Sequence, residues 1–294
     1  MSEMPQQVAL NRIIEGDSFK LIQQVPDKSV NLLITDPPYF LNTATKKDVS
    51  AGINGETWDD ARILLETDPA LKAEYADEST TTDRRLTILS ILKQKFFEHF
   101  LEVIEPKMAD DSAMIVFNRY ANVQIMRNWL KKSPKIKDKW IVDSTFEWAK
   151  TNPQPTLDPK YWSEYALIAT NSFATTQRTI ANLAENYVDN TTIDNTFVTT
   201  RPKNKSYVYG DNGAKHATPK PFDLWSYLIR RFSNPEDLLL DPFSGSGTTA
   251  ITATDLGRNF YAFELDEKQF KASSKRLDEF KKNRGKSIFL GLHS

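Results

Sequence analysis

The tetrapeptide Asp36-Pro37-Pro38-Tyr39 places a carboxylate, two prolines and an aromatic ring directly after an apolar run, Val30 to Thr35. The Asp36 carboxylate and the Pro37 carbonyl can accept hydrogen bonds from one amino group on a planar ring, which favours a pyramidal nitrogen whose lone pair points at an electrophile. Proline stiffens the direction of that carbonyl, and Tyr39 can stack on a base that has left a duplex. The alternative interpretation is a rigid turn that ends a strand.

A glycine-rich turn is the second candidate, and it reads Asp241-Pro242-Phe243-Ser244-Gly245-Ser246-Gly247-Thr248-Thr249. Its glycines let the backbone approach a ligand closely, and the free N–H groups of the helix that follows can bind a carboxylate or a phosphate. The next predicted strand ends at Glu264, an acid that can bind ribose hydroxyls. The unit therefore predicts a nucleoside site. An NAD-type site stays open, whereas a P-loop is excluded because no Gly-Lys-Ser/Thr sequence follows.

The elements that position these segments can be predicted from the spacing of the apolar residues. Strands are predicted at residues 13–14, 30–35, 113–117, 141–148, 165–170, 238–240 and 259–264. Helices are predicted at residues 86–104, 121–131, 221–232, 248–256 and from 267 to about 282. Strands and helices alternate along much of the chain, which predicts a mostly parallel sheet.

Two segments depart from this alternation. Asn42 to Arg85 shows no convincing period, which predicts an insertion that is partly helical and mobile. Asn171 to Lys215 is rich in asparagine and threonine and ends in a basic cluster, Arg201 to Lys215, which suits an exposed recognition segment. A second basic stretch runs from Lys131 to Lys139. Either basic stretch could contact phosphates, although such runs are more often solvated faces.

The composition excludes several kinds of site. The 294 residues contain no cysteine, so thiolate metal sites, disulfides and cysteine nucleophiles are excluded, and with them methylation at carbon 5 of cytosine. With only three histidines, no transition-metal site is expected. The net charge of -1 means that any nucleic-acid surface is a local patch. No signal peptide or membrane span is expected, which favours a cytoplasmic protein.

Five motifs, taken in order, resemble the amino-group DNA methyltransferases of the β class. They are Gly16-Asp17-Ser18, then Asp36 to Tyr39 with Phe40, then Trp148 to Pro153, then His216 to Pro221, and finally Asp241 to Thr249 with Glu264. In this class the catalytic tetrapeptide precedes the glycine loop, as it does here. Members with serine in place of aspartate in the tetrapeptide methylate cytosine N4, so Asp36 favours adenine N6, with cytosine N4 as the alternative.

The resemblance implies an α/β fold, the circularly permuted, Rossmann-like, seven-stranded methyltransferase sheet with a small recognition insertion. It divides the chain into a catalytic domain at residues 1–42, 86–170 and 216–294, an insertion at 43–85 and a DNA target-recognition segment at 171–215. Residues 216–294 would be the cofactor-binding part. DNA is the implied partner, and a homodimer and a cognate restriction endonuclease are further partners that the family allows.

The resemblance also implies roles for individual residues. The catalytic residues would be Asp36, Pro37, Pro38 and Tyr39. The flipped base would be contacted by Tyr39, Phe40, Trp148 and Asn152. The cofactor, S-adenosylmethionine, would be bound by Asp17, Ser18, His216, Lys220, Asp241, Phe243, Gly245, Ser246, Gly247, Thr248, Thr249 and Glu264.

Three other functions remain as alternatives at this point. One is methylation of another planar amino group, such as a protein glutamine amide or an RNA base, although those enzymes usually carry asparagine in the tetrapeptide and place the glycine loop first. Another is a nucleoside-binding module that holds DNA without turnover. A nicotinamide-dependent oxidoreductase is the third, but it would leave Asp36 and Tyr39 without a task.

Overall fold

The computed structural model describes residues 9–40, 64–136, 138–142, 145–151, 163–172, 175–177, 192–193, 196–199, 208–209, 214–215 and 219–283. Within these ranges the strands are β1 (Arg12–Glu15), β2 (Val30–Thr35), β3 (Met108–Asn118), β4 (Ile141–Val142), β5 (Phe146–Lys150), β6 (Ser163–Thr170), β7 (Thr192–Ile193), β8 (Thr196–Thr199), β9 (Val208–Tyr209), β10 (Ala214–Lys215), β11 (Leu238–Asp241) and β12 (Asn259–Glu264). The helices are α1 (Ser18–Ile22), α2 (Pro69–Ala76), α3 (Thr82–Ile104), α4 (Tyr120–Lys132), α5 (Phe222–Phe232), α6 (Thr248–Leu256) and α7 (Glu267–Asn283).

One large sheet organises the described residues. Its strands follow the order β1-β12-β11-β2-β3-β6-β5-β8-β7, and β4 pairs with β6 beside this path. The first seven strands of that order form the Rossmann-like sheet that the resemblance implies, so the predicted fold class is confirmed. The carboxyl-terminal strands β11 and β12 lie between β1 and β2, which is the permuted arrangement expected when the glycine loop comes last in the chain.

The strand pairs from β1 to β3 are parallel, and so is the pair of β5 with β8. Strand β6 is antiparallel to β3, β4 and β5, and β7 is antiparallel to β8, so the expectation of a mostly parallel sheet is wrong for these strands. For β6 with β4 and β5 the reason lies in the sequence, because no helix was predicted between residues 141 and 170. Parallel neighbours need a crossover, which is usually a helix, whereas strands that follow one another without one pair antiparallel.

Helices cover both faces of the sheet and bury its apolar side chains. Helix α3 contributes its Phe96, Phe97 and Phe100 face to a core with β2 and β3. Helix α5 contributes Trp225 and Leu228 to the core on the other face. Full burial of such a side chain stabilises the fold by about 1.5–3 kcal/mol. The sheet therefore lies between two apolar cores, one on each face.

The amino-terminal part of α3 lies inside the predicted insertion. The helix begins at Thr82 rather than at Leu86, because the Thr81 side chain accepts a hydrogen bond from the Arg84 backbone N–H and caps the first turn. Helix α2 lies just before it, and the Arg84 guanidinium binds both carboxylate oxygens of Glu74 at 2.6 and 3.0 Å. The expectation that this segment is partly helical is thus confirmed for the described residues. Among these residues, no helix is long and apolar enough to cross a membrane.

Candidate active site

The tetrapeptide and the glycine turn begin at the ends of adjacent parallel strands. Strand β2 ends at Thr35 and β11 ends at Asp241, and the two strands pair in register. The Thr35 hydroxyl donates a hydrogen bond of 2.7 Å to the Asp241 carboxylate, across 206 positions of sequence. The carboxyl ends of parallel strands at such a position are where ligands bind in α/β proteins. The two motifs therefore share one edge of the sheet, as the sequence interpretation requires.

Two buried asparagines hold the backbone of the tetrapeptide. Asn118, the last residue of β3, donates from its amide nitrogen to the carbonyl oxygens of Pro37 at 3.1 Å and Pro38 at 3.3 Å. Asn122, in the first turn of α4, donates to the Tyr39 carbonyl at 2.9 Å and to the Asn118 side-chain oxygen at 2.6 Å. Neither asparagine was predicted as a site residue.

Lys220 lies on the tetrapeptide rather than on the glycine turn. Its side chain is 5% exposed, and its ammonium group forms an ion pair with Asp36 Oδ2 and lies 3.1 Å from Glu164 Oε2. The sequence predicted Lys220 as a cofactor contact, whereas its contacts here are with the two carboxylates. Asp36 Oδ1 is buried and accepts no hydrogen bond from the described residues. One oxygen of the Asp36 carboxylate is therefore available to a ligand.

Glu164 of β6 binds a second lysine and the tyrosine of the tetrapeptide. The Tyr39 hydroxyl donates to Glu164 Oε2 at 2.7 Å. The Lys150 ammonium donates to Glu164 Oε1 at 2.6 Å, and both of these side chains are mostly buried. The Lys220 ammonium also lies 5.5 Å from the centroid of the Tyr39 ring. Neither Glu164 nor Lys150 was predicted as a site residue.

The two carboxylates of this cluster differ in acidity. Burial raises the pKa of Asp36 and outweighs the lowering by Lys220, and the negative charge of Glu164 adds to the rise. Burial also raises the pKa of Glu164, but the Lys220 and Lys150 ammonium groups outweigh it and bring that pKa to about 2. Glu164 is therefore ionised throughout the physiological range, and Asp36 is the weaker acid of the pair.

Lys220 and Tyr39 keep their protons in the same cluster. Burial lowers the pKa of Lys220, but the nearby Asp36 and Glu164 carboxylates outweigh it and the net shift is upward. Burial raises the pKa of Tyr39 well above its ordinary value, and the two carboxylates raise it further. Lys220 is thus a cation at neutral pH and Tyr39 a neutral hydrogen-bond donor.

The glycine turn is organised by Glu264. The backbone N–H of Gly245 donates to Glu264 Oε2 at 2.7 Å, and the backbone N–H of Asp266 donates to Oε1 at 2.9 Å. Gly245 has a φ of 48°, a left-handed conformation that glycine adopts without the steric cost of a side chain. Glu264 therefore lies against the turn, where the sequence placed it, and in this structure its carboxylate binds the backbone of the turn.

Buried polar side chains line the same turn. They belong to Asp241, Ser244, Ser246, Thr248 and Thr249. The Thr249 hydroxyl accepts a hydrogen bond from the Trp225 indole N–H at 2.7 Å. Burial raises the pKa of Asp241 to about 6, against hydrogen bonds from Thr249 and Thr35. Ser244 Oγ is buried and has no partner among the described residues, so the turn offers an unused polar group to a ligand.

The Gly16-Asp17-Ser18 motif contacts both Glu264 and the glycine turn. The Gly16 backbone N–H donates to the Glu264 carbonyl at 2.9 Å, and the Ser18 hydroxyl donates to the Pro242 carbonyl. Asp17 caps α1 by accepting a hydrogen bond from the Phe19 N–H at 2.9 Å. The structure thus brings this motif together with the glycine turn and Glu264. Phe243 of the turn packs 5.7 Å from the Phe100 ring, measured between centroids.

Two of the predicted substrate contacts, Phe40 and Trp148, are buried. Phe40 is 2% exposed and packs edge-to-face on Phe96 at 4.7 Å between centroids. Trp148 is 1% exposed, with the Lys150 ammonium 5.0 Å from its ring centroid. Both rings therefore belong to the core in this structure, and their contact with a substrate stays a prediction. Asn152 and His216, which were predicted to contact the base and the cofactor, lie outside the described residues.

The lysine stretch from Lys131 to Lys139 lies at the opposite edge of the sheet. Lys139 pairs with Glu105, and Lys135 lies 3.8 Å from Glu102. Glu105 begins the short 3-10 helix Glu105–Lys107 that leads into the amino end of β3, whereas the tetrapeptide is held at the carboxyl end of that strand. This stretch is therefore separate from the candidate site. Of the other basic cluster, Arg201, Lys203 and Lys205 lie outside the described residues.

The sequence and the fold of this chain are similar to those of known proteins. The model of the family described as DNA methylase, which covers N6 and N4 methyltransferases, matches residues 30–275. The type II methyltransferase M.HinfI of Haemophilus influenzae is 27% identical over 93% of this chain and 70% of its own length. Two crystallised proteins share the fold: M1.HpyAVI in a SAM complex (TM-score 0.54, 22% identity, 91% of this chain and 98% of that one) and the cytosine-N4-specific PvuII DNA methyltransferase (TM-score 0.57, 15% identity, 92% and 91%).

Proposed function

We propose that this chain, which belongs to the DNA methylase family, transfers a methyl group to the N6 amino group of an adenine in DNA. The choice of an amino acceptor rests on one observation: Asp36 Oδ1 is a buried carboxylate oxygen without a partner among the described residues. It stands at the carboxyl end of β2, beside the strand that leads into the glycine turn. An exocyclic amino group is a donor that fits such an acceptor.

The cofactor is S-adenosylmethionine, as the sequence predicts and the family membership supports. When bound, it supplies a methyl group activated by a positively charged sulfur. The glycine turn fits such a molecule, because Ser244 Oγ is buried and unpaired among the described residues and Gly245 adds no side chain to the turn. Glu264 at the end of β12 and Ser18 at the start of α1 border the same turn.

The residues of the tetrapeptide would act on the acceptor. One amino proton of the base would bond to Asp36 Oδ1 and the other to the Pro37 carbonyl, which already accepts one hydrogen bond from Asn118 and has a second lone pair. Both bonds pull electron density onto the nitrogen and stabilise the positive charge that develops there as the methyl group arrives. The Tyr39 ring, whose hydroxyl is anchored on Glu164, would stack on the base.

Lys220 would remain on the other oxygen of Asp36 during this step. Its ammonium group bonds to Oδ2, so Oδ1 can face the base without loss of that ion pair. The ion pair favours the charged form of this largely buried carboxylate. Burial without a nearby cation would favour the protonated form instead. We therefore assign Lys220 to the acceptor side of the site in place of the cofactor contact predicted from the sequence.

Cytosine N4 is the second candidate acceptor. The cytosine-N4-specific PvuII enzyme has the same fold, and a cytosine amino group could donate to the same two oxygens. We favour adenine because Asp36 stands where the cytosine-N4 enzymes of the resembling class carry serine.

Analysis of the product nucleosides distinguishes the two acceptors. DNA would be incubated with the protein and labelled S-adenosylmethionine and then digested to deoxynucleosides. The deoxynucleosides would be identified by mass spectrometry against standards of N6-methyldeoxyadenosine and N4-methyldeoxycytidine. We expect the label in N6-methyladenine alone. Label in N4-methylcytosine would overturn the choice of base, and no label in DNA under any condition would overturn the proposed function itself.

A further inference from the structure

We propose that Glu164 is a positioning residue of the methyl transfer, which holds the Tyr39 hydroxyl and the Lys220 ammonium and through them places the stacking ring and the catalytic carboxylate. The inference rests on the proposed function. Glu164 lies on β6, which pairs with β3 from the side away from β2, and it belongs to none of the motifs on which the resemblance depends.

Both carboxylate oxygens of Glu164 are bonded to side chains of the site. Oε2 accepts from the Tyr39 hydroxyl at 2.7 Å and lies 3.1 Å from the Lys220 ammonium, and Oε1 accepts from the Lys150 ammonium at 2.6 Å. A mostly buried carboxylate with three donors is a fixed anion. Both of its oxygens are bonded to side chains of the site, so we assign its part in the reaction to the residues it holds.

The first of these residues is Tyr39. A tyrosine ring that is free at its hydroxyl can swing about two side-chain torsions, whereas a hydroxyl bonded to a fixed carboxylate confines the ring to one position. The Asn122 amide holds the other end of the residue by its backbone carbonyl at 2.9 Å. Tyr39 is therefore anchored at both ends, and a base stacked on it would be placed in one plane relative to Asp36.

The second residue is Lys220, which Glu164 shares with Asp36. Without Glu164, the Lys220 ammonium would have Asp36 as its only carboxylate among the described contacts and would be free to bind both of its oxygens. It would then compete with the substrate amino group for Oδ1. Glu164 holds the ammonium to one side of Asp36 and leaves Oδ1 open.

The titratable side chains of the Glu164 cluster come from several elements. Lys150 comes from β5, Glu164 from β6, Asp36 and Tyr39 from the loop after β2, and Lys220 from the segment before α5. Asp241, at the end of β11, also interacts with Asp36. The Glu164 anion raises the pKa of Asp36, after burial as the main cause. Removal of that anion should therefore make Asp36 a stronger acid.

The test is the variant Glu164→Gln in the full chain, assayed by labelled methyl transfer to DNA across a range of pH. We expect kcat to fall by up to about 100-fold, the magnitude expected for a small misplacement of reacting groups. The affinity for S-adenosylmethionine, measured by calorimetry, should not change. The acid limb of the kcat profile should move to lower pH, because the like charge that raises the pKa of Asp36 is gone.

Three further variants make the test decisive. Glu147→Gln, on the neighbouring strand β5, removes an acid that accepts a hydrogen bond from the Ser163 hydroxyl and should keep the wild-type profile. Glu164→Asp keeps the charge and should leave the acid limb near its wild-type pH. If Glu164→Gln does not fold, Tyr39→Phe removes the hydroxyl that bonds to Glu164 and that also lowers the pKa of Asp36, so its kcat should fall and its acid limb should move to higher pH.

Failure of the inference is separable from failure of the proposed function. A wild-type protein that methylates no DNA would refute the function. An active wild-type protein whose Glu164→Gln variant keeps both its kcat and its acid limb would refute the inference alone. A variant that loses activity only in proportion to its loss of folded protein, with an unmoved acid limb, would reduce Glu164 to a structural residue and would also overturn the inference.

Discussion

The hydroxyl group of Thr35 donates a 2.7 Å hydrogen bond to the carboxylate of Asp241, and both side chains are buried. Thr35 is the residue before the tetrapeptide, and Asp241 is the first residue of the glycine turn. The contact therefore ties the part of the site that acts on the acceptor to the part that would hold the methyl donor. Because both residues end strands in a rigid sheet, the separation between the two parts is fixed by the fold.

The first prediction concerns the pH dependence of the wild-type enzyme. Asp36 must be ionised to bind the amino group and stabilise charge on it, and burial raises its pKa above the ordinary value of 3.8. Activity should therefore be full above that raised pKa and should fall as the pH decreases through it. The measurement is kcat/KM for DNA against pH at saturating cofactor. A profile that stays flat down to pH 4 would contradict the assignment of Asp36.

The second prediction concerns the asparagine that holds the two proline carbonyls. Asn118→Ala should lower kcat, because Pro37 loses the donor that orients its carbonyl, while the affinity for the cofactor stays constant. The loss of a buried hydrogen bond should also lower the free energy of unfolding by about 1–3 kcal/mol. Kinetics and urea unfolding measure the two effects separately. Asn259→Ala is the control, since its amide bonds to the Asn11 side chain and the Glu236 carbonyl at the amino end of β12, and wild-type-like kinetics are expected for it.

The third prediction concerns Glu264. Glu264→Ala should mainly weaken the affinity for S-adenosylmethionine, because the carboxylate both fixes the Gly245 backbone and borders the glycine turn. Turnover at saturating cofactor should be close to that of the wild type. Calorimetry and kinetics distinguish these effects, with Glu267→Ala, an exposed acid paired with Lys271, as the control. Unchanged affinity with reduced turnover would show that the cofactor does not lie against Glu264.

The sequence predicted best those elements whose limits are set locally. The bounds of β2, β12 and α6 agree with the prediction. Strand β2 is a mostly apolar run that ends before Asp36 and two prolines, and α6 is flanked by Gly247 and Gly257, whose φ values are 76° and 73°. The motifs around Asp36 and Glu264 were likewise recognisable from adjacent residues. Local patterns of this kind need no knowledge of the sheet order.

The residues that sequence reasoning missed depend on contacts far apart in the chain. Asn118 lies one residue beyond the predicted strand 113–117, and Glu164 lies one residue before the predicted strand 165–170. The antiparallel pairing of β3 with β6 sets Asn118 opposite Tyr165, next to Glu164, and so brings both to the site. The available signal was a polar residue next to each of two predicted strands. Only the pairing of β3 with β6 shows that the two residues lie close together.

The central claim is that Asp36 acts on the amino group of the acceptor and not on the cofactor. Its most direct test is Asp36→Ala, assayed both for labelled methyl transfer to DNA and for calorimetric binding of S-adenosylmethionine, with Asp110→Asn, an exposed acid at the start of β3, as the control. We predict that transfer is lost, by at least about 100-fold as for other groups that stabilise developing charge, while cofactor binding remains close to that of the wild type. Strong residual transfer by Asp36→Ala would contradict the claim.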